Sequence, residues 1–162
     1  MGDELTDGLQ AKVLTVSDGV IHGTREDKSG EALVTFLTDQ GYDVAEHRAV
    51  EDGVDSVARA LTEMCAGFSG LVVSTGGTGF GPRDLTPEAT SKVLERTAPG
   101  LAEAMRLVNP LGRLSRGVAG TVGLALVVNT PGSTKGCLET LAVVIDVVPH
   151  AIRLMAASPT DH

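Results

Sequence analysis

Residues 70–90 read GLVVSTGGTGFGPRDLTPEAT and combine an apolar run, a glycine-rich turn and the start of a helix. The run GLVVS is short and rich in β-branched residues, which is typical of a buried strand. Thr86 is placed to cap a helix that begins at Pro87, since proline is favoured in a first helical turn. A buried strand that leads through a loop into a helix is the repeating unit of α/β folds.

The residues before this stretch repeat the same pattern. Residues 12–17, KVLTVS, indicate a buried strand, and apolar residues recur at helical spacing from Gly30 to Gly41, where glycine suits a helix C-terminus. Residues 42–50 alternate as a second strand, and Asp52 is placed to cap a second helix. With GLVVS as the third strand, the order of elements predicts the beginning of a doubly wound sheet.

The residues after this stretch predict a change of strand direction. Pro99 and Gly100 end the helix, and a further helix reaches about Val108. Residues 118–122 and 124–128 indicate two strands too close together for a parallel crossover, so they form a hairpin. Residues 136–155 form two helices divided at Pro149. The predicted fold is α/β with three layers, a mostly parallel sheet with helices on both faces, and a C-terminal antiparallel hairpin.

The composition agrees with one buried sheet. The chain has 162 residues, which predicts a single domain over 1–162 with flexible tails at 1–10 and 157–162. Hydrophobic residues make up 42% of the chain and aromatic residues only 2%. The core is therefore predicted to consist of closely packed Val, Leu, Ile and Ala, which suits a parallel sheet covered by helices.

Charge and cysteine content predict a cytoplasmic protein and argue against polyanionic partners. Thirteen Lys and Arg against 21 Asp and Glu give a net charge of −8, which argues against nucleic-acid and membrane-surface partners. The N-terminus, MGDELTDGLQ, is acidic and polar, unlike a signal peptide, and the apolar runs are too short to span a bilayer. Cys65 and Cys137 lack metal-ligand spacing and are predicted to be free thiols.

Polar groups follow three of the predicted strands, where the ligands of α/β sheets bind. Asp18 follows the first strand, Glu51 and Asp52 the second, and the loop 75–84 the third. Four glycines of this loop let backbone N–H groups approach an anion: Gly76, Gly77, Gly79 and Gly81. The loop matches neither common nucleotide signature, because no GK[ST] follows and Pro82 replaces the third glycine of the dinucleotide fingerprint. The glycines alone indicate either a phosphate cradle or simple turns.

Several motifs between Lys12 and Ala156 resemble the MogA/MoaB family of molybdenum cofactor biosynthesis proteins. They are VSDG (16–19), DKSG (27–30), TGGTG (75–79), RDLTPEAT (83–90), LSRGVAG (114–120) and PGSTK (131–135). TGGTG with RDLTPEA at this spacing is the most specific of them. The resemblance implies a MogA-like fold that binds molybdopterin, a pterin dithiolene with a terminal phosphate. For the catalytic branch it implies adenylylation of molybdopterin by Mg-ATP, giving molybdopterin-AMP and pyrophosphate.

The two acidic residues of that family's active site correspond to Asp52 and Asp84. A phosphate monoester is already anionic near neutral pH, so its attack on the α-phosphorus of ATP needs no general base. What remains is positioning and charge neutralisation, and carboxylates are hard oxygen ligands suited to Mg²⁺. We therefore expect Asp52 and Asp84 to be catalytic through Mg²⁺. The residues alone leave other roles open: a helix cap for Asp52, and an ion pair with Arg83 or a loop hydrogen bond for Asp84.

A protein of net negative charge that binds two polyanions also needs local cations and hydroxyl donors. Arg83 and Lys135 are the strongest cation candidates, and Arg113 and Arg116 are further ones, although each of them also suits a solvated surface. The four histidines are predicted to be non-catalytic. The predicted ligand-binding residues are Ser17, Asp18, Thr75, Gly76, Gly77, Thr78, Gly79, Arg83, Ser133 and Lys135.

Two other functions remain open. PGSTK, preceded by Thr130, is closer to the MoaB branch, some members of which are thought not to transfer adenylyl groups. The first alternative is therefore a catalytically silent molybdopterin-binding protein, and the second is another small nucleotide-binding domain. The resemblance also implies a homo-oligomer, a trimer in the MogA type or a hexamer in the MoaB type.

Overall fold

A computed structural model of the chain describes residue 6 and residues 8–157, so the predicted tails lie mostly outside the described residues. The strands in this part of the chain are β1 Gln10–Val16, β2 Asp43–Val50, β3 Gly70–Thr75, β4 Arg96–Thr97, β5 Ala119–Val122 and β6 Ala125–Thr130. The helices are α1 Asp18–Ile21, α2 Lys28–Asp39, α3 Val54–Cys65, α4 Thr86–Val93, α5 Pro99–Leu107, the 3₁₀ helix Pro110–Leu114, α6 Thr134–Ala142 and α7 Val148–Ala156.

The strands form one sheet in the order β2-β1-β3-β6-β5-β4. Strands β2, β1, β3 and β6 are parallel, whereas β5 is antiparallel to β6 and β4 is antiparallel to β5. Gly123 turns the hairpin between β5 and β6 with a φ of 58°, a conformation that glycine adopts without strain. The predicted α/β class, the mostly parallel sheet and the antiparallel hairpin are confirmed.

Alternate residues of the strands supply two separate cores, one on each face of the sheet. Val13, Val73 and Val128 belong to the core that includes residues of α2, α5, α6 and α7. Leu14, Val72 and Val127 belong to the core that includes residues of α3 and α4. Burying an aliphatic side chain of this size contributes roughly 1.5 to 3 kcal/mol. Helices therefore cover both faces, which confirms the three-layer prediction and leaves the strand ends as the sites of polar residues.

Two predicted helix caps are wrong, and both involve residues near the glycine loop. Helix α3 is capped by Gly53, whose φ is 132°, while the Asp52 carboxylate accepts a hydrogen bond from the backbone of Asp18. Thr86 lies inside the first turn of α4, and its hydroxyl donates to the carbonyl of Gly76. Each side chain makes a tertiary hydrogen bond instead of the local one that its position in the sequence suggests.

The remaining differences from the predicted elements are small. Helix α4 ends at Val93, and Pro99 begins α5 instead of ending α4. The short helix α1, the strand β4 and the 3₁₀ helix were not predicted, because each is too short for a periodic signal. Among the residues described, no helix has the length and apolar character needed to cross a membrane.

Both cysteines are free and buried, Cys65 on α3 and Cys137 on α6. Burial raises the pKa of each thiol from 9.0 to about 11, so the thiolate population at pH 8 is about 100-fold lower than for an ordinary cysteine. We expect native protein to react with iodoacetamide at least about 100-fold more slowly than protein unfolded in urea. Mass spectrometry after timed quenching measures both rates, and rapid modification of either cysteine in the native protein would contradict the buried assignment.

Candidate active site

A cleft of about 1150 Å³ opens where the parallel strands end. Ser17 enters its lining after β1 and Asp52 after β2, while β3 and the loop after it contribute residues 75–79 and Asp84. Ser133 and Lys135 enter it after β6. All the residues predicted to be catalytic or to bind ligands are in this lining except Asp18 and Arg83, which lie beside it, and the further cation candidates Arg113 and Arg116 are not part of it. Parallel strands place the residues that follow them at one edge of the sheet, as the sequence predicted.

The first two glycines of the loop lie too close to neighbouring residues to carry side chains. Gly76 and Gly77 have φ values of 101° and 71°, which favour glycine. A Cβ at Gly76 would collide with the carbonyl oxygen of Val16, and one at Gly77 with the hydroxyl of Thr86. The loop is tied down by Gly76 N–H to Thr130 O at 3.1 Å and by Thr86 N–H to Gly77 O at 3.1 Å. The result is a fixed backbone surface without side chains at the cleft.

Reciprocal hydrogen bonds join the loops after β1 and β2. Asp18 N–H donates to Asp52 Oδ2 at 2.9 Å, and Asp52 N–H donates to Asp18 Oδ1 at 3.1 Å. Arg83 donates from Nε and Nη2 to the two carboxylate oxygens of Asp18 at 2.5 and 3.0 Å, and from Nη2 to the Asp52 carbonyl at 2.8 Å. Asp18 and Arg83 therefore bind each other, and together they fix the backbone and the carboxylate of Asp52.

The pKa values of the two joined carboxyl groups move in opposite directions. The hydrogen bond from Arg83 holds the pKa of Asp18 below its usual value. Burial raises the pKa of Asp52, and the negative charges of Asp18 and Asp84 raise it further. The fold thus holds the Asp52 carboxylate where its charge is unfavourable, an arrangement that is common at functional sites and that a bound cation would relieve.

Asp84 closes a tight turn at the end of the glycine loop. Its Oδ2 accepts the N–H of Gly81 at 2.8 Å, and its own N–H donates to Gly81 O at 3.0 Å. A Cβ built on Gly79 would lie 3.0 Å from Asp84 Oδ2, and one on Gly77 would lie 3.3 Å from Asp52 Oδ1. Both carboxylates therefore border the same glycine stretch, in agreement with their electrostatic coupling.

The carboxylates of the cleft suit a magnesium ion only if it takes most of its ligands from water and substrate. Within residue 6 and residues 8–157, no group of three or more His, Cys, Asp and Glu side chains is arranged to hold a metal ion. Mg²⁺ commonly takes only one or two carboxylates and fills its other positions with water and substrate phosphates. Asp52 and Asp84, which border one stretch of loop, are such a pair.

The loop after β6 lines the cleft with further polar groups, in addition to those that follow β1, β2 and β3. Thr75 donates its hydroxyl to Pro131 O at 2.8 Å, so this predicted ligand-binding hydroxyl joins the two loops. Ser133 caps α6 and accepts the N–H of Gly136 at 3.0 Å, which leaves its hydroxyl proton able to donate to a ligand. The Lys135 side chain is 81% exposed and lies 3.7 Å from Glu139, a weak surface pair that leaves its ammonium available to an anion.

One polar cluster in the cleft, around Asp27, was not predicted, because Asp27 does not directly follow a strand. Its carboxylate accepts the Gly30 N–H at 3.0 Å and the Thr15 hydroxyl at 2.8 Å, and it lies 2.9 Å from His47 Nε2. Asp27 and Thr15 line the cleft. Asp27 opens the DKSG motif, which was the available signal, but the sequence does not show that side chains from β1 and β2 meet it.

A second part of the cleft that the sequence did not predict comes from α5 and the 3₁₀ helix. Met105, Arg106, Asn109 and Leu111 line this side. Arg106 Nη1 donates to Gly117 O at 2.7 Å and so ties α5 to the segment before β5. Only the two-residue antiparallel strand β4 precedes α5, so no parallel strand end points to these residues, and their helical spacing indicates only an amphipathic helix.

Comparison with known proteins identifies the family. The family model described as "Probable molybdopterin binding domain" matches residues 12–150. Molybdopterin adenylyltransferase of Helicobacter pylori (strain J99) is 37% identical over 150 residues, which is 88% of this chain and 85% of that protein. Molybdenum cofactor biosynthesis protein B of Bacillus subtilis is 31% identical over 158 residues, covering 93% and 92%. Gephyrin of Dictyostelium discoideum is 34% identical over 161 residues, but the match spans only 22% of that longer protein.

Solved structures agree with the sequence comparison. The molybdopterin biosynthesis enzyme MoaB of Thermus thermophilus has a TM-score of 0.87 and 41% identity, covering 93% of this chain and 98% of that one. The molybdopterin biosynthesis Mog protein of Mycobacterium ulcerans has a TM-score of 0.84 and 37% identity, covering 91% and 99%. Sequence and fold agree over nearly all of the described residues, and the chain belongs to the MogA/MoaB-type molybdopterin-binding family of molybdenum cofactor biosynthesis.

Proposed function

We propose that the chain is a molybdopterin adenylyltransferase that uses Mg-ATP. The observation that carries the proposal is the pair Asp52 and Asp84, which border the same glycine stretch inside one large cleft. A charged pair in a cleft also lined by backbone, hydroxyl and ammonium groups suits two phosphorylated ligands. The name of the Helicobacter pylori relative supports the same reaction.

The proposed binding roles follow from the positions of the polar groups. The glycine stretch, with Thr78, takes phosphate oxygens against its backbone, and Ser17 and Ser133 add hydroxyl donors. Lys135 supplies a cation at the start of α6. Arg83, whose side chain is 60% exposed, lies beside the cleft and offers a guanidinium that a phosphate can share with Asp18.

The proposed chemistry is a direct transfer between phosphates. An oxygen of the terminal phosphate of molybdopterin attacks the α-phosphorus of ATP, the bond to the bridging oxygen of the β-phosphate breaks, and pyrophosphate leaves with those electrons. Asp52 and Asp84 would hold Mg²⁺, which when bound neutralises the triphosphate and the leaving pyrophosphate. The attacking phosphate is already ionised, so the protein's task is to align the two phosphates, and no proton-transfer residue is needed.

The test is pyrophosphate release by purified protein given molybdopterin, ATP and magnesium. We expect about one pyrophosphate per molybdopterin converted, no release when either substrate is omitted, and loss of release after EDTA with recovery on adding Mg²⁺. Calorimetry with molybdopterin alone measures pterin binding separately. Binding without pyrophosphate would replace the proposal by the silent binding protein, and nucleotide binding without any pterin binding would indicate another nucleotide-binding domain.

The silent binding protein is the second candidate because of the PGSTK loop and the MoaB relatives. The solved structure from Thermus thermophilus is named MoaB, and the Bacillus subtilis relative is named molybdenum cofactor biosynthesis protein B. A cytoplasmic location and self-association as a trimer, or as a hexamer, belong to the same proposal. Exposed Leu107, Leu111 and Leu114, the last two at the cleft itself, support self-association as an apolar surface available to a second copy.

A further inference from the structure

Arg116 reaches the outer half of the glycine loop from the segment before β5. Its Nε donates to Gly79 O at 2.8 Å, its Nη2 to Asp84 O at 2.6 Å, and its Nη1 to Glu88 Oε2 at 2.6 Å. Its backbone N–H donates to Thr78 O at 2.9 Å. All three guanidinium nitrogens are therefore bonded to the protein. Because its donors are already bonded, Arg116 is poorly suited to bind phosphate, the role that its charge alone suggests.

The two halves of the loop are held by different residues. Thr86 and Thr130 hold Gly76 and Gly77, as described above, whereas Arg116 joins the carbonyls at the two ends of segment 79–84. That segment is rich in glycine, so it loses much conformational freedom when it is ordered. A planar guanidinium with donors in a fixed fork can hold two carbonyls at a set separation, which a lysine ammonium cannot do with the same geometry.

Glu88 on α4 fixes the orientation of this guanidinium. Its carboxylate accepts from Nη1, and the hydrogen bond from Arg116 holds the pKa of Glu88 below its usual value. The Phe80 ring lies over the guanidinium, with its centroid 6.0 Å from the guanidinium carbon. The carboxylate and the ring thus hold Arg116 in one position while its other two nitrogens bind the loop.

We propose that Arg116 is a positioning residue for adenylyl transfer. It sets the backbone of Asp84, and with it the direction of the Asp84 carboxylate toward the glycine stretch that Asp52 also borders. Glu88 supports this role by holding the Arg116 guanidinium in place. This inference rests on the proposed function for its catalytic part, while its effect on the loop is independent of that function.

The test compares Arg116→Lys, Glu88→Gln and the control Lys92→Gln on the same helix as Glu88. Hydrogen–deuterium exchange of peptides covering 78–84 reports the loop directly, without substrate. We expect about 10-fold faster exchange there in Arg116→Lys, because two charge-assisted hydrogen bonds lose their geometry. Glu88→Gln should give a smaller increase, and Lys92→Gln none. Exchange in β3 and β6 should stay unchanged in all three variants.

Steady-state pyrophosphate release provides the second measurement. We expect Arg116→Lys to lower kcat by about 100-fold, with KM for ATP changed less than about 3-fold and a higher magnesium concentration needed for half activity. In Glu88→Gln, Arg116 keeps its hydrogen bonds to the carbonyls of Gly79 and Asp84, so we expect a smaller loss of kcat. This variant still tests the proposal if Arg116→Lys folds poorly.

Three results would overturn the positioning role. They are unchanged exchange of the loop in both variants, a loss confined to KM, and full activity of Arg116→Lys. A wild-type protein without pyrophosphate release would instead refute the proposed function and with it the catalytic part, and the exchange measurement would still decide whether Arg116 orders the loop.

Discussion

Replacing Gly76 by alanine is expected to destabilise the protein by about 2 to 5 kcal/mol and to abolish ligand binding in the cleft. Two effects add. Gly76 has a φ of 101°, which an L side chain rarely adopts, and the new methyl group would collide with the carbonyl oxygen of Val16. Val16 ends the buried strand β1, so its backbone cannot move without disturbing the core. Thermal unfolding followed by circular dichroism should show a Tm lower by roughly 5 to 15 °C.

Gly67→Ala is the matched control because it separates the two effects. Gly67 also has a positive φ, 63°, but no atom lies within 4 Å of a Cβ built there. We expect a loss of only about 1 to 2 kcal/mol from this variant and unchanged ligand binding. Equal melting temperatures for the two variants would show that the close approach to Val16 is not a constraint, and the fixed backbone surface assigned to the glycine loop would have to be abandoned.

The sequence predicted most of the fold and the place of the site for one physical reason. Buried parallel strands leave continuous apolar runs, and the residues after such strands meet at one edge of the sheet. Asp52 and Asp84 lie 32 positions apart in the chain, yet counting strand ends was enough to bring both into the cleft. Convergence of this kind follows from topology, so it needs no knowledge of side-chain conformations.

Side-chain partners could not be predicted in the same way. Asn129 lies in the apolar strand β6, and its amide donates to Ser74 at 2.9 Å and Thr90 at 3.0 Å while its oxygen accepts the Val118 N–H at 3.0 Å. The sequence position of Asp52 and Thr86 suggests helix caps, and that of Asn129 suggests an unpaired polar group in an apolar strand. Their partners lie on other elements, and a local pattern carries no information about them.

The roles of the basic residues were the hardest to predict from the sequence. Arg83 and Arg116 are both basic residues in loops, and charge alone suggests that either could bind phosphate. The structure shows that Arg83 bonds Asp18 and that Arg116 bonds the glycine loop. A positive residue beside an anion site can thus fix the acids and carbonyls around it. Arg116 does so with all three guanidinium nitrogens, whereas the exposed Arg83 keeps its proposed role toward phosphate as well.

Replacing Asp52 by asparagine is expected to remove activity and keep the fold. The amide oxygen can still accept the Asp18 N–H that now binds Asp52 Oδ2, so the contact between the two loops remains. Burial and the charges of Asp18 and Asp84 raise the pKa of Asp52, which means that ionised Asp52 is held at a cost to stability and that a neutral isostere removes this cost. Pyrophosphate release should fall by about 100-fold to 1,000-fold, because a charge that stabilises the transferring phosphates is lost.

Three companion variants make the Asp52→Asn result specific. Asp84→Ala should also abolish pyrophosphate release while leaving pterin binding largely intact. Asp18→Asn should cause a smaller loss, because it weakens the ion pair with Arg83 and leaves both proposed metal ligands in place. Asp55→Asn, at a side chain that is 89% exposed on α3, should change neither activity nor Tm.

If Asp52→Asn kept more than about a tenth of the wild-type rate, Asp52 would not be serving the transferred phosphates. If it unfolded instead, the residue would serve the fold, and the reciprocal pair with Asp18 would be a structural link between two strands.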